Sequence, residues 1–416
     1  MTPDLAALGE TIMRRLDALA QFTDVPGELT RLYLSPAHKA AALQVREWMT
    51  AAGMTARIDA AGNVIGRYDG DRPGLPALLL GSHIDTVRNA GKYDGNLGVV
   101  VAIEAVAALA RDGIRRPFAI EVLAFGDEEG VRFPTTLTGS RAVAGTLGHE
   151  PASLDARDPD GITVREALVR FGCDPGEIAG VARAREAVLG YVELHIEQGP
   201  VLESEDLPLG VVTAIAGASR FRFEVAGEAG HAGTVPMALR KDALAAAAEM
   251  VLAVERAAAG QPDLVATVGQ LQVLPGAVNV IPALARFSLD LRSPADARRQ
   301  RAIAELLDDF RAIAARRRVT LAESQYYDEP AARCDPLLID ALEAAVRRCG
   351  LPVRRLPSGA GHDGLAMVAL CPIGMLFLRC KGGISHNPAE SIRAEDAGAA
   401  VTVLADFLRH HRAAPL

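Results

Sequence analysis

The 416-residue chain carries 44 Lys and Arg against 52 Asp and Glu, a formal net charge of -8 at pH 7. That balance excludes the basic surface a nucleic-acid-binding protein needs, and an aromatic content of 4% leaves few platforms for stacking bases. Half of the residues are hydrophobic, yet no apolar run reaches membrane-spanning length.

A chain this long exceeds what one hydrophobic core usually covers, so two domains are expected. Five cysteines (Cys173, Cys334, Cys349, Cys371 and Cys380) are odd in number and form no CxxC pair. Reduced thiols fit this better than a disulfide framework. Met1 to Glu10 hold no basic stretch followed by an apolar one, so no signal peptide is evident and a cytoplasmic location is expected.

In chain order, 5–22 and 36–52 have helical periodicity, with Gly53 as a C-terminal cap. Residues 55–68 read as two strands joined at Ala61-Gly62-Asn63. The apolar run 78–81 has the character of a buried strand. It ends in Ser82-His83-Ile84-Asp85-Thr86, with Tyr93-Asp94-Gly95-Asn96 close behind. In open α/β sheets, ligands bind beyond the carboxyl ends of the strands. A His-x-Asp pair there suits a metal, because the carboxylate can hold the second imidazole nitrogen. Taken alone, the segment reads equally well as a strand ending in a solvated turn.

The aliphatic run 98–109 predicts a buried helix ending near Asp112-Gly113. Asp94 lies just before its N-terminus, where a carboxylate is electrostatically favoured and could be an ordinary cap. Residues 118–125 form the next apolar strand, ending in Gly126-Asp127-Glu128-Glu129-Gly130. Three successive carboxylates raise one another's pKa unless cations or solvent relieve them. The strand 190–194 runs into His195-Ile196-Glu197-Gln198-Gly199-Pro200, and a glycine-rich loop carries 373–378 to Ser385-His386-Asn387-Pro388. Four strand ends that each deliver His, Asp or Glu point to a metal site.

Between these pieces, runs at 221–225, 265–272 and 285–291 alternate with helical patterns at 241–259 and 295–317. Strand–helix–strand–strand–helix is the order of a small α/β sandwich with one open sheet edge and one helical face. Metal-type motifs flank it on both sides. The expected organisation is therefore a discontinuous domain of 1–210 and 331–416, interrupted by an inserted domain at 211–330. The insertion's polar points are Gly230-His231-Ala232-Gly233-Thr234, Asn279 and Arg292. Each has an ordinary reading as a turn or surface residue.

The Gly81–Thr86 motif, Asp94-Gly95, Asp127-Glu128-Glu129-Gly130, the Gly-His-Ala-Gly turn and Ser385-His386-Asn387 resemble the dinuclear-metal (M20-type) superfamily of aminoacylases and carboxypeptidases. Arg132-Phe133, His195–Pro200 and Ser358-Gly359-Ala360-Gly361-His362-Asp363 resemble the branch of N-carbamoyl-L-amino-acid hydrolases, β-ureidopropionases and allantoate amidohydrolases. The likeness spans nearly the whole chain, in order. Most peptidases of the superfamily supply a carboxylate where this chain has His195, which favours the ureido branch.

The resemblance implies an α/β fold: a mixed-sheet catalytic domain of zinc-exopeptidase type with an inserted α/β sandwich serving as lid and dimerisation domain. It implies two divalent ions, zinc or manganese with cobalt or nickel as alternatives. His83, Asp94 and His195 would hold one, and Asp94, Glu129 and His386 the other, with Asp94 bridging. It leaves Glu128 as general base and gives Asp85 the task of orienting His83. His231 is assigned to the oxyanion, within its own chain or across a homodimer. Gln198, Asn279 and Arg292 become substrate anchors, and Gly359, Ala360 and His362 line the pocket.

The expected reaction is hydrolysis of a carbamoyl C–N bond on a small carboxylate, releasing ammonia and carbon dioxide. Allantoate is slightly preferred over N-carbamoyl-L-amino acids, because 375–384 lacks an obvious bulky pocket-forming residue. A dinuclear aminoacylase or dipeptidase is the first rival. A catalytically silent binding protein on the same scaffold is the second.

Overall fold

The computed structural model describes residues 5–147 and 151–412. The chain folds as two compact units. The larger comprises Met1–Thr213, Arg333–Leu356 and His362–Leu416, and the smaller comprises Ala214–Ala332 and Pro357–Gly361. Gly359 and Ala360 therefore belong to the smaller unit, and His362 to the larger.

The larger unit is built on a mixed sheet. Its strands run in the order Thr55–Ile58, Val64–Tyr68, Ala119–Phe125, Ala77–His83, Val188–Ile196, Ile373–Leu378 and Leu209–Ile215. The four central strands, from Ala119–Phe125 to Ile373–Leu378, are mutually parallel. Val64–Tyr68 and Leu209–Ile215 join them antiparallel on either side. Ala77–His83 and Ala119–Phe125 are buried at every position. That explains why they are continuous apolar runs instead of alternating ones.

Helices Leu5–Ala20, Asn96–Arg111, Pro336–Arg348 and Ala394–His410 pack against one another. Asn96–Arg111 is buried on nearly every side, as its unbroken aliphatic sequence requires. The one acidic residue in it, Glu104, is neutralised by Arg15 at 2.9 Å. Among the described residues, no helix is long and apolar enough to cross a membrane.

The smaller unit is an antiparallel sheet in the order Leu271–Leu274, Leu284–Ser293, Gly217–Ala226 and Thr320–Glu329, with Val265–Thr267 also pairing Leu284–Ser293. Helices Ala243–Ala258 and Asp296–Arg317 pack against the sheet. Phe221, Phe223, Phe287, Met250, Leu306 and Phe310 form the core between them. Buried residues alternate with more open ones along Leu284–Ser293, the mark of a sheet with one wet face.

Two expectations change here. The single strand expected at 265–272 is two short ones, because Val268-Gly269-Gln270 interrupts the ladder. A long strand, Thr320–Glu329, follows the second helix. Its largely polar, exposed sequence hid it from a search for apolar runs.

Candidate metal centre

Register brings two imidazoles to one level of the larger unit. Gly81 pairs with Glu193 on the parallel neighbour, and two residues further along each strand stand His83 and His195. Their ring centroids are 5.7 Å apart. His83 Nδ1 lies 3.1 Å from the Asp85 carbonyl oxygen, and His195 Nδ1 lies 2.9 Å from that of Ile196. With Nδ1–H donating to a carbonyl in each case, both rings present Nε2 to the same space.

Asp94 occupies that space. Its Oδ1 is 3.0 Å from His195 Nε2 and 3.5 Å from His83 Nε2, while Oδ2 is 3.4 Å from His386 Nε2. One carboxylate thus turns an oxygen to each of two donor sets. Glu129 Oε2 stands 3.5 Å from His386 Nε2, and Glu128 Oε2 stands 3.9 Å from His83 Nε2. Three groups have donor atoms all within 4.8 Å of one another: His83, Asp94 and His195; Asp94, Glu129 and His386; and His83, Glu128 and Glu129.

The local backbone is unusual where it carries these groups. Asp127, Gln198 and His386 all have positive φ, at 68°, 56° and 55°. Non-glycine residues in this region cluster at functional sites, because the surrounding structure must hold the strain. Gly95, at φ 65°, has no alternative: a Cβ there would fall 2.4 Å from a ring atom of His83. Gly95→Ala is expected to cost about 1–3 kcal/mol of stability and to weaken metal binding by displacing His83. Thermal melts and metal titration of the variant would check both.

The donor chemistry fits divalent cations. Imidazole and carboxylate suit zinc or manganese. The Asp94, Glu128 and Glu129 carboxylates form ion pairs only with histidines among the described residues. Glu129 Oε1 is buried without a hydrogen-bond partner among them. Burial, opposed by His83 but reinforced by the neighbouring carboxylates, pushes Glu128 well above the usual carboxyl range. Burial and then the Asp94 charge do the same to Glu129. Burial also opposes the charge on Asp94, but His195 and His83 hold that carboxyl well below its ordinary range. The negative field that keeps protons here is the field that would keep metal ions.

Several expected roles change in detail. The atom orienting His83 is the Asp85 backbone oxygen, because the Asp85 carboxylate stands further off at 3.7 Å. That carboxylate instead accepts the Glu128 and Glu129 backbone N–H groups, each at 3.3 Å, and so fixes the turn that presents both glutamates. Gln198 was expected to offer a substrate both a donor and an acceptor. Its Nε2 is committed to Asp94 Oδ2 at 2.8 Å and Ser385 Oγ at 3.1 Å, and only Oε1 stays without a partner among the described residues.

His362 is buried, with its ring 4.5 Å from that of His195 and 5.8 Å from that of Phe377. Burial and then the His195 charge depress its pKa well below the imidazole range. Phe377, in the segment 375–384, is a fully buried strand residue whose ring lies against His362.

The remaining expected residues lie in the smaller unit. His231 pairs with Val280 in a two-residue ladder, and the Ala232 N–H donates to the Asn279 carbonyl at 2.9 Å, so His231 and Asn279 are neighbours. The Arg292 Nε and Nη2 donate to the two oxygens of Asp290 at 2.7 and 3.1 Å, and its Nη1 donates to the Gly359 carbonyl at 2.9 Å. Ala360 N–H donates to Ser358 Oγ at 3.2 Å.

Two residues of the centre were missed. Ser385 Oγ donates to Asp94 Oδ2 at 2.6 Å. Glu390 accepts the backbone N–H groups of Tyr93 and Asp94 at 2.8 and 3.0 Å, stapling the His386 loop to the Asp94 turn. Both act across almost 300 residues of chain from an irregular loop, where no periodicity marks them.

Comparison with known proteins agrees with this architecture. The sequence matches Peptidase family M20/M25/M40 over residues 79–410. An N-carbamoyl-L-amino acid amidohydrolase from Geobacillus stearothermophilus is 43% identical, over 95% of this chain and 97% of that protein. An allantoate deiminase from Arabidopsis thaliana is 40% identical, over 97% of this chain and 82% of that protein. A solved amidase of the hydantoinase/carbamoylase family from Burkholderia multivorans superposes with a TM-score of 0.89 at 34% identity, covering 96% of this chain and 97% of that one. With the match running from the Ala77–His83 strand into the last helix, the chain belongs to the M20/M25/M40 peptidase family.

Proposed function

We propose that the chain is a metal-dependent amidohydrolase that cleaves the carbamoyl C–N bond of a small ureido carboxylate, an N-carbamoyl-L-amino acid or allantoate, releasing ammonia and carbon dioxide. The observation that carries this reading is Gln198. Its amide nitrogen is pinned on Asp94 and its buried Oε1 is left as an acceptor beside the donor cluster. A carbamoyl –NH2 supplies the missing donor, whereas the methyl of an N-acetyl substrate leaves a buried acceptor unsatisfied. The relatives' names point the same way.

The family is metal-dependent, and in this reading His83, Asp94 and His195 hold one divalent ion and Asp94, Glu129 and His386 the other. Zinc or manganese is the natural choice for these donors, with cobalt or nickel as substitutes. When bound, such ions would polarise the substrate carbonyl and acidify a water. Glu128 accepts the water's proton and returns it to the departing nitrogen. Asp85 keeps Glu128 and Glu129 in place through their backbone. Gln198 Oε1 receives the ureido N–H. His231 faces the developing oxyanion, supplied by the same chain or by a second copy in a homodimer formed through the smaller unit. Asn279 and Arg292 hold the carboxylate, and Gly359, Ala360 and His362 line the pocket. A cytoplasmic location belongs to the same reading.

Parallel assays of the metal-loaded protein on an N-carbamoyl-L-amino acid, allantoate, the matching N-acetyl amino acid and a dipeptide test this. Ammonia release from a ureido substrate, at a kcat/KM well above that of the other two, is expected. Faster cleavage of the acetyl compound or the dipeptide would make the protein an aminoacylase or dipeptidase. Turnover of none would make it a binding protein.

A separate expectation concerns Arg292→Lys. An ammonium cannot present two parallel N–H groups to a carboxylate. Losing one charge-assisted hydrogen bond costs roughly 1.5–3 kcal/mol, or one to two orders of magnitude in kcat/KM. Steady-state kinetics would show that loss, with the melting temperature as a control.

A further inference from the structure

We propose that Asp290 and Arg220 are positioning residues for Arg292, holding its guanidinium so that its two unengaged N–H groups are offered to a substrate carboxylate. This rests on the reading of Arg292 as the carboxylate anchor.

Asp290 and Arg292 are two residues apart on the strand Leu284–Ser293 and therefore share a face. Arg220, on Gly217–Ala226, is the direct cross-strand partner of Asp290. The Asp290 carboxylate takes Arg292 on both oxygens, at 2.7 and 3.1 Å, and Arg220 Nε on Oδ2 at 2.9 Å. Arg220 is itself packed over the Tyr327 ring, 4.7 Å from its centroid. The Gly359 carbonyl also accepts from Arg292 Nη1, at 2.9 Å.

A guanidinium has five N–H groups. Three are engaged here, and the remaining two, one on each Nη, have no partner among the described residues. One free N–H on each Nη leaves two donors for a carboxylate's pair of oxygens. Burial alone would push the Asp290 carboxyl upward, but Arg292 and then Arg220 hold it below the usual range, so it stays an anion. The cluster of two arginines and one aspartate keeps a net positive charge.

Asp290 has two opposing effects, and they differ in sign. As an anion near the binding edge, it repels an incoming carboxylate, so removing its charge would lower KM. As a clamp, it spares the substrate the ordering of a rotamer-rich side chain, so removing it raises KM. The second effect should dominate, because ordering one such side chain on binding is worth roughly three- to tenfold in affinity. The repulsion, by contrast, is screened at a partly exposed site and already offset by Arg220.

The test compares N-carbamoyl-L-alanine with its α-carboxamide on the native protein, Asp290→Asn, Arg220→Met and Arg292→Lys, each metal-loaded. For Asp290→Asn, KM for the acid should rise roughly three- to tenfold with a smaller change in kcat. The preference for acid over carboxamide should fall by the same factor. Arg220→Met should give a smaller shift in the same direction, and it serves as the second variant if Asp290→Asn melts early. An unchanged or lowered KM for the acid, or equal losses on acid and carboxamide, would overturn the proposal. If Arg292→Lys leaves the acid preference intact, the anchor reading itself fails. If Arg292→Lys erases the preference and neither of the other variants touches it, only the positioning role fails.

Discussion

Glu128→Gln is expected to lower kcat by about 10²–10⁴-fold, the usual contribution of a general acid–base group, while leaving metal content and substrate affinity close to native. The amide is isosteric, and the hydrogen bond from the backbone N–H of residue 128 to Asp85 does not involve the side chain. What is lost is the ability to take a proton. Glu129 keeps its carboxylate beside His386. The geometry also contains a competing possibility, because His83, Glu128 and Glu129 form one of the three groups that could hold an ion. Elemental analysis separates the two roles. A dead variant with full metal content makes Glu128 the base, whereas a dead variant that has lost an ion makes it a ligand. Near-native kcat would remove it from the chemistry.

Removing the metal should have the largest effect of all. Chelation is expected to abolish turnover, with zinc or manganese restoring it, and Asp94→Asn should resist restoration. Asp94 faces His83 and His195 through one oxygen and His386 through the other, so the amide weakens both donor sets together. Stability should fall as well. An ion present at a hundredfold over its dissociation constant stabilises the folded chain by about 2.7 kcal/mol, and the crowded carboxylates would be left facing one another. Melting curves with and without chelator, read beside metal content, check this. Full activity in metal-free protein would refute the metal-dependent reading outright.

The central parallel strands were legible because a strand buried on both faces has to be an apolar run, whatever else surrounds it. The helix Asn96–Arg111 announced itself for the same reason. Polar groups at the carboxyl ends of those strands stood out against that background as a metal site, and the family resemblance selected His83, Asp94, Glu129, His195 and His386 as its ligands and Glu128 as its base. Thr320–Glu329 was not legible, because half-exposed strands on an open sheet face carry no such contrast.

What tertiary structure decided was which atom meets which. A sequence pattern reports the face on which a side chain stands, but not its partner from a distant segment. Asp85 looked like the partner of the His83 ring, yet its carbonyl serves there and its carboxylate holds the glutamate turn. Gln198 looked like a free amide, yet half of it is committed to Asp94 and Ser385. Arg292 looked like an open fork, yet Asp290 occupies one edge and Gly359 a further N–H. Composition and periodicity therefore pointed to an alternating strand–helix chain with a metal site, and the family resemblance supplied the catalytic fold and the ureido chemistry. The three-dimensional meeting of loops decided which hydrogen-bonding edges remain open, because those depend on contacts between segments that no local pattern encodes.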